Sequence, residues 1–358
     1  MGNGTGDGSL RQTAATPPFE LPGPAAAELQ QVETRLRAVA TTCNKPVSDI
    51  VLHLVEAGGK RLRATLVISA ALAVHARSVN ERVIDAAVAV ELLHLASLYH
   101  DDVLDDARQR RDRPTANALW GPHAAILTGD VLLAQAYRIA AELGTDELRR
   151  LSQTVTDLCA GQIAETATQF DAARDVSQYD ASVRGKTAAL VATCCWLGAT
   201  AAGAPKRTAQ TLSCFGLELG MAFQVIDDIL DLYATADMVG KPVGGDVRTG
   251  VLTLPVLLAL RADPSLADLL TQDIDDEGID EVRNRVRDVG ADRDAVGVAT
   301  AHLQTALSHL GARGLAPAGK RLLVSIAHAI VDPLDQLGLS GGSGTVGGFS
   351  SEALPATS

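Results

Sequence analysis

"LYHDDVLDDARQRRD", residues 98–112, sets four carboxylates within six positions and brings the paired arginines Arg110 and Arg111 close behind. Asp101, Asp102, Asp105 and Asp106 repel one another, and on a helix the repulsion costs stability. Asp101 and Asp105 stand four apart, so a helix puts them on one face about a turn apart. His94 lies two turns up nearly the same face. Asp is also a mediocre helix former, because its side chain competes with the backbone. Something must offset these costs.

A second cluster repeats the pattern. In "FQVIDDILDLY", residues 223–233, Asp227 and Asp231 keep the four-residue spacing, Asp228 stands beside the first, and Gln224 lies about one turn earlier. The flanks are apolar (Met221, Ala222, Phe223, Val225, Ile226, Ile229, Leu230, Leu232). One acidic cluster alone is most often a solvated face. Two of identical spacing, each on an apolar helix, call for a ligand. A divalent cation turns the repulsion into attraction. Mg²⁺ takes hard oxygen ligands, usually one or two carboxylates, and completes its shell with water and substrate phosphate. Two such helices facing each other would clamp Mg²⁺ ions around one polyphosphate.

A polyphosphate also needs fixed cations. "GGKRLR", residues 58–63, follows one helix and opens another. Gly58 and Gly59 permit close backbone approach. Lys60 and Arg63 lie one turn apart at a helix start, which suits a diphosphate. The bland reading is a helix end with solvated basic residues. The stretch lacks the frame of a Walker loop. Locally, Arg110 and Arg111 would pair with Asp105 and Asp106. "RGKTAAL", 184–190, puts Lys186 and Thr187 at a further helix start, where ordinary capping competes with ligand binding. "GKPVGGDVRTG", 240–250, puts Lys241 in a glycine-rich loop.

Bulk composition bounds the rest. The chain has 358 residues, 47% hydrophobic and 21% charged, as in a globular protein with a large core. A net charge of −12 argues against a general nucleic-acid coat. Five cysteines without metal-ligand spacing suggest reduced thiols and a cytoplasmic location. The N-terminus lacks the basic and apolar regions of a secretory signal. No run of 18 or more apolar residues occurs, so no membrane span is expected.

Residues 1–27 and 339–358, rich in Gly, Pro, Ser and Thr, read as disordered extensions. Between them, 28–338 reads as one large all-α domain. Periodicity predicts helices over 28–41, 47–57, 61–76, 80–107, 117–143, 146–172, 186–202, 207–235, 252–262, 276–289, 292–312 and 317–335. "TLVIS", 65–69, is the best strand candidate, yet it sits inside a helical pattern.

Taken in order, "GGKRLR", "ELLHLASLYHDDVLDDARQRRDRPT", "LTGDVLLAQA", "GKTAAL", "FQVIDDILD", "GKPVGGD" and "TLP" closely resemble the trans-polyprenyl diphosphate synthases. These are the head-to-tail isoprenoid chain-elongation enzymes. The resemblance is strong from about 45 to 260 and fades toward the last helix. It implies a helical bundle around a central cavity, the type I isoprenoid synthase fold, in a homodimer. It implies isopentenyl diphosphate and an allylic diphosphate as substrates, with Mg²⁺, three ions per site, as cofactor.

The resemblance also assigns roles. Lys60, Arg63, His94 and Arg111 match the isopentenyl diphosphate site. Asp101 and Asp105 match Mg²⁺ ligands of the first motif, with Asp102 inside it. Asp227 matches the main ligand of the second, with Asp228 and Asp231 in support. Arg110, Lys186, Thr187, Gln224 and Lys241 match the grip on the allylic diphosphate. Two positions depart: Asp112 stands where the family usually has Gly, and Val251 where a lysine is often found. The implied reaction ionises the allylic diphosphate, and the double bond of isopentenyl diphosphate attacks the cation. No side-chain nucleophile is required. In this family a bulky aromatic about five residues before the first Asp shortens the product. Here Ala96 and Ser97 are small, which implies geranylgeranyl or longer. A class I terpene cyclase of the same fold and a non-catalytic regulatory subunit are the rival readings. The intact second DDxxD argues against the first, and the survival of both clusters against the second.

Overall fold

Helix ends fall where the local chemistry puts them. The structure, a computed structural model, describes residues 23–75, 79–110, 113–234 and 243–339. Arg111, Asp112 and Lys241 lie outside the described residues, as do both termini. The first helices are α1 (Gly23–Thr42), α2 (Val47–Glu56), α3 (Leu62–Val74) and α4 (Glu81–Leu104). A two-stranded hairpin follows, β1 (Gln109–Arg110) paired antiparallel with β2 (Arg113–Pro114). Then come α5 (Ala116–Trp120), α6 (Pro122–Leu143), α7 (Thr145–Thr166) and α8 (Val176–Val183). A π-helical turn (Arg184–Ala188) leads into α9 (Ala189–Ala201) and α10 (Lys206–Tyr233). The chain ends with α11 (Gly245–Thr249), α12 (Leu254–Ala262), α13 (Asp276–Asp288), α14 (Ala291–His309) and α15 (Pro317–Gln336).

The all-α expectation holds, with local corrections. Helix α1 starts at Gly23 rather than 28. The helix expected over 117–143 breaks at Gly121, whose φ of 85° is disfavoured for side-chain-bearing residues. Pro122 then opens α6 with a preset φ. The helix expected over 146–172 ends at Thr166, and Phe170 turns left-handed at φ 58°. "TLVIS" lies inside α3.

The residues group into two compact units. One comprises residues through Val155 together with Leu190–Gly216 and Leu310–Ile326. Its centre is α4, started by Asn80, whose side chain accepts from the Val83 N–H. Helix α4 is apolar nearly all round and packs most extensively on α6 and α3. By length and composition alone it could cross a membrane, but 72% of its apolar window is buried within the protein. A core helix accounts for it.

The other unit comprises Thr156–Ala189, Leu217–His309 and the residues from Ala327. Its core gathers Met221, Val225, Ile229 and Leu232 of α10 with Leu254, Val256 and Leu257 of α12 and Val282 and Val286 of α13. The α10 contributors recur every three or four residues, one apolar stripe of a helix.

Candidate active site

The first acidic motif sits where α4 stops. Asp105 is the C-cap residue, and its N–H still donates to the Asp101 carbonyl at 2.9 Å. The four-residue spacing therefore survives, although α4 ends at Leu104 and not at 107. Asp106 turns left-handed at φ 45°. Its N–H donates to the Val103 carbonyl (3.3 Å) and the Ala107 N–H to the Asp102 carbonyl (2.9 Å), which closes a Schellman-type end. Aspartate is one of the few residues besides glycine that tolerates this conformation. Asn117 adds a further donor to the Asp102 carbonyl at 3.0 Å.

Exposure divides the motif. His94, Ser97 and Asp101 are half-buried and Asp105 is exposed. Their spacings of three, four and four residues trace one stripe. Asp102 faces away and is 3% exposed. Arg110 Nε donates to Asp102 Oδ1 at 2.8 Å. Burial pushes the Asp102 carboxyl above its usual range, opposed in part by Arg110. The bland alternative, Arg110 paired with Asp105 or Asp106, is thus not formed. Arg110 lies on the β1 strand of the hairpin and meets Asp102, while Arg108 takes Asp106 at 3.5 Å. Ala96 is wholly buried, and Ser97 Oγ donates to the His94 carbonyl at 2.9 Å.

The same unit holds the "GGKRLR" segment. Gly58 and Gly59 both adopt positive φ, and so does Arg61. The sequence suggested a helix start open to a diphosphate. At that start, Glu91 Oε1 of α4 accepts from the Ala64 N–H at 3.0 Å. Arg61, buried, bonds Glu91, Glu33 and the Val55 carbonyl. Sequence reasoning missed Arg61 and Glu91. The available signal was a lone glutamate inside the apolar run "VAVELLHLAS". Lys60 is exposed, whereas Arg63 Nε is buried with no hydrogen-bond partner among the described residues. Burial pushes the Arg63 pKa down, and the charges of Glu91 and Asp101 oppose that shift.

The second motif lies inside a helix, in the other unit. Asp227 is half-buried, while Asp228 and Asp231 are 2% and 1% exposed. Asp231 Oδ2 accepts from the Asp246 N–H at 3.0 Å and so caps the first turn of α11. Asp228 accepts from Gln224 Nε2 at 2.9 Å and from the Tyr179 hydroxyl at 2.5 Å. Burial pushes its carboxyl up to about 7, against the pull of those two bonds. Thr187 Oγ1 donates to Gln224 Oε1 at 2.7 Å. Lys186 and Thr187 belong to the π turn and not to a fresh helix start. Lys186 pairs with Glu165 at 2.5 Å. Tyr179, Glu165 and the buried Arg174, whose guanidinium lies 5.8 Å from the Tyr179 ring centroid, were not singled out from sequence. Nothing in a lone Tyr seven residues before Lys186 marks it.

Among the described residues no three His, Cys, Asp or Glu side chains form a group that could hold a metal ion alone. The donors are all hard carboxylate oxygens, one or two per motif at accessible positions. In each motif such donors fit Mg²⁺ shared with a diphosphate and would not fit a softer metal.

Comparison with known proteins completes the description. The polyprenyl synthetase family model matches residues 44–289. Heptaprenyl diphosphate synthase component 2 of Geobacillus stearothermophilus is 42% identical over 234 residues, 65% of this chain and 72% of that protein. The crystal structure of heptaprenyl diphosphate synthase from Staphylococcus aureus superposes with a TM-score of 0.81 at 30% identity, covering 88% of this chain and 99% of that one. A polyprenyl synthase from Caulobacter crescentus, complexed with calcium and isoprenyl diphosphate, gives 0.79 at 29% identity over 86% of this chain and 95% of that one.

Proposed function

Because this chain belongs to the polyprenyl synthetase family and is a prenyltransferase enzyme, we propose that it extends an allylic diphosphate by trans condensation with isopentenyl diphosphate, releasing diphosphate. One observation carries the reading. A buried guanidinium nitrogen of Arg63 has no hydrogen-bond partner among the described residues and feels the charge of Asp101, which heads an accessible acidic stripe. A guanidinium suits an anion, and hard carboxylate oxygens suit a divalent cation. A metal diphosphate satisfies both.

Asp101, Asp105 and Asp227 would hold Mg²⁺, with Asp231 a weaker candidate because it is buried and caps α11. Three ions per site is the family expectation. When bound, Mg²⁺ neutralises the charge that develops on the departing diphosphate. Lys60, Arg63, His94 and Arg111 would orient isopentenyl diphosphate. Lys186, Arg110, Thr187, Gln224 and Lys241 would hold the allylic diphosphate and stabilise it as it leaves. Asp102 and Asp228 would act by fixing Arg110 and Gln224. No side-chain nucleophile is used, and the released diphosphate is the natural acceptor of the final proton.

Product length of geranylgeranyl or longer rests on small residues at Ala96 and Ser97, the second of which lies on the accessible stripe. Residues 28–338 are taken as one catalytic domain. A homodimer is proposed, because α5 and α6 leave Leu119, Trp120, Ile126 and Leu127 exposed as an apolar surface. The name of the Geobacillus relative, component 2, raises a different chain as the alternative partner. A cytoplasmic location accords with five free cysteines. The test is purified protein with Mg²⁺, labelled isopentenyl diphosphate and a series of allylic primers, with products sized by chromatography. Elongated product is expected. Product formed from the primer alone would mean a cyclase, and no diphosphate release would mean a regulatory subunit.

A further inference from the structure

Four side chains in the second unit form a directed hydrogen-bond chain. Thr187 donates to Gln224, Gln224 donates to Asp228, and Tyr179 donates to the other oxygen of Asp228. A carboxylate only accepts, so it dictates the orientation of the Gln224 amide: nitrogen toward Asp228, oxygen toward Thr187. The chain therefore ties α8, the π turn and α10 at one point. Backbone contact holds the same turn from behind. A Cβ on Gly161 would come within 2.5 Å of the Lys186 nitrogen, and one on Gly185 within 2.5 Å of the Asp157 carbonyl oxygen. The turn thus lies directly on α7, and its register fixes where Lys186 and Thr187 stand. Single π turns interrupting a helix are frequent at functional sites.

We propose that Tyr179 is a positioning residue for the allylic-diphosphate half of the reaction. Its hydroxyl and Gln224 hold Asp228 in a buried clasp that locks the π turn carrying Lys186 and Thr187 against the second acidic segment. Arg174 backs the clasp, with Nη2 on Ser182 Oγ (2.7 Å), Nη1 on the Leu252 carbonyl (3.2 Å) and its guanidinium near the Tyr179 ring. Tyr179 touches neither the leaving group nor any ion in this scheme. It acts through Asp228 and Gln224. The proposal rests on the function proposed above.

The test uses the full chain carrying Y179F, D228N or the double substitution Q224E/D228N. Y179F removes one donor to a carboxylate and is expected to raise KM for the allylic diphosphate about tenfold. KM for isopentenyl diphosphate stays within about twofold, since hydrogen-bond loss at one site is local. D228N offers one oxygen and one NH₂ to two donors, so either the Gln224 amide or the Tyr179 hydroxyl must turn, and more is lost. The double substitution rebuilds the chain with its charge moved by one residue. The new carboxylate accepts from Thr187 and from the new amide, whose oxygen accepts from Tyr179. In metal-free protein it is expected to restore the slow amide exchange at 184–188 that D228N loses. In metal-free protein, amide exchange at 184–188 should quicken in Y179F while α4 is unchanged. An unaltered allylic KM in Y179F, or amide exchange at 184–188 as fast in the double variant as in D228N, overturns the clasp. If Y179F does not fold, the comparison of D228N with Q224E/D228N still decides. If wild-type protein makes no product with any primer, the enzymatic reading fails instead, and the exchange experiment still reports on the clasp.

Discussion

The two acidic motifs share a spelling and almost nothing else. Asp101 and Asp105 occupy the last turn and C-cap of α4, one half-buried and one exposed. Asp228 and Asp231 lie inside α10 with their carboxylates buried and bonded. Physics penalises each for a different reason. The first motif places anions at the negative end of a helix dipole, with no basic residue in that turn. The second takes carboxylates out of water. The protein answers the second penalty itself, through Tyr179, Gln224 and the Asp246 amide. At the first, Arg110 takes Asp102 and Arg108 takes Asp106, and the half-buried and exposed carboxylates of Asp101 and Asp105 are hard donors suited to an outside cation.

The sharpest way to break that comparison is to remove one oxygen charge at each accessible position. Asp101→Asn and Asp227→Asn should each lower kcat by roughly 10²–10³-fold, the loss typical of a missing transition-state contact. Circular dichroism should remain that of the wild type. Asp102→Asn should lose less turnover and more stability, because its work is holding Arg110. Equal kinetic losses in all three would erase the division between accessible and internal carboxylates.

Stability in metal-free buffer separates the motifs in the opposite sense. Asp231→Ala removes a helix cap and a buried acceptor, so urea unfolding should show a loss of about 1–3 kcal/mol. Asp105→Ala removes an exposed like charge from a helix C-terminus. It should change stability by less than about 0.5 kcal/mol or raise it slightly. A destabilised Asp105→Ala would mean that the Asp105 carboxylate contributes to the fold and not only to a ligand site.

These contrasts explain what the sequence could and could not disclose. Helix identity, the two spacings and the stripe from His94 to Asp105 follow from periodicity, which is local. The end of α4 was misjudged by three residues because Asp106 takes a left-handed turn usually reserved for glycine. The π turn at Lys186 read as a helix start for a similar reason: nothing in "RGKTAAL" announces an inserted residue. Glu91 at the α3 start and Tyr179 on Asp228 are contacts between chain segments 27 and 49 residues apart. Such pairings depend on packing and leave no mark on spacing. The roles of Arg111 and Lys241 rest on the family resemblance alone.

The smallest expected effect concerns what stands one turn before each leading aspartate. That position is Ser97 in the first motif and Phe223 in the second. Both are half-buried, so both have room on one side. If the growing chain runs beside α4, bulk matters at Ser97 and not at Phe223. Ser97→Phe should shorten the products seen by chromatography while overall turnover stays near wild type. Phe223→Ala should leave product length unchanged. Ala96→Phe tests the neighbouring position at a higher structural price, because Ala96 is fully buried and overpacking costs about 1–3 kcal/mol. Shortening in Ala96→Phe without shortening in Ser97→Phe would put the product on the buried side of α4. The accessible stripe would then serve the diphosphates alone.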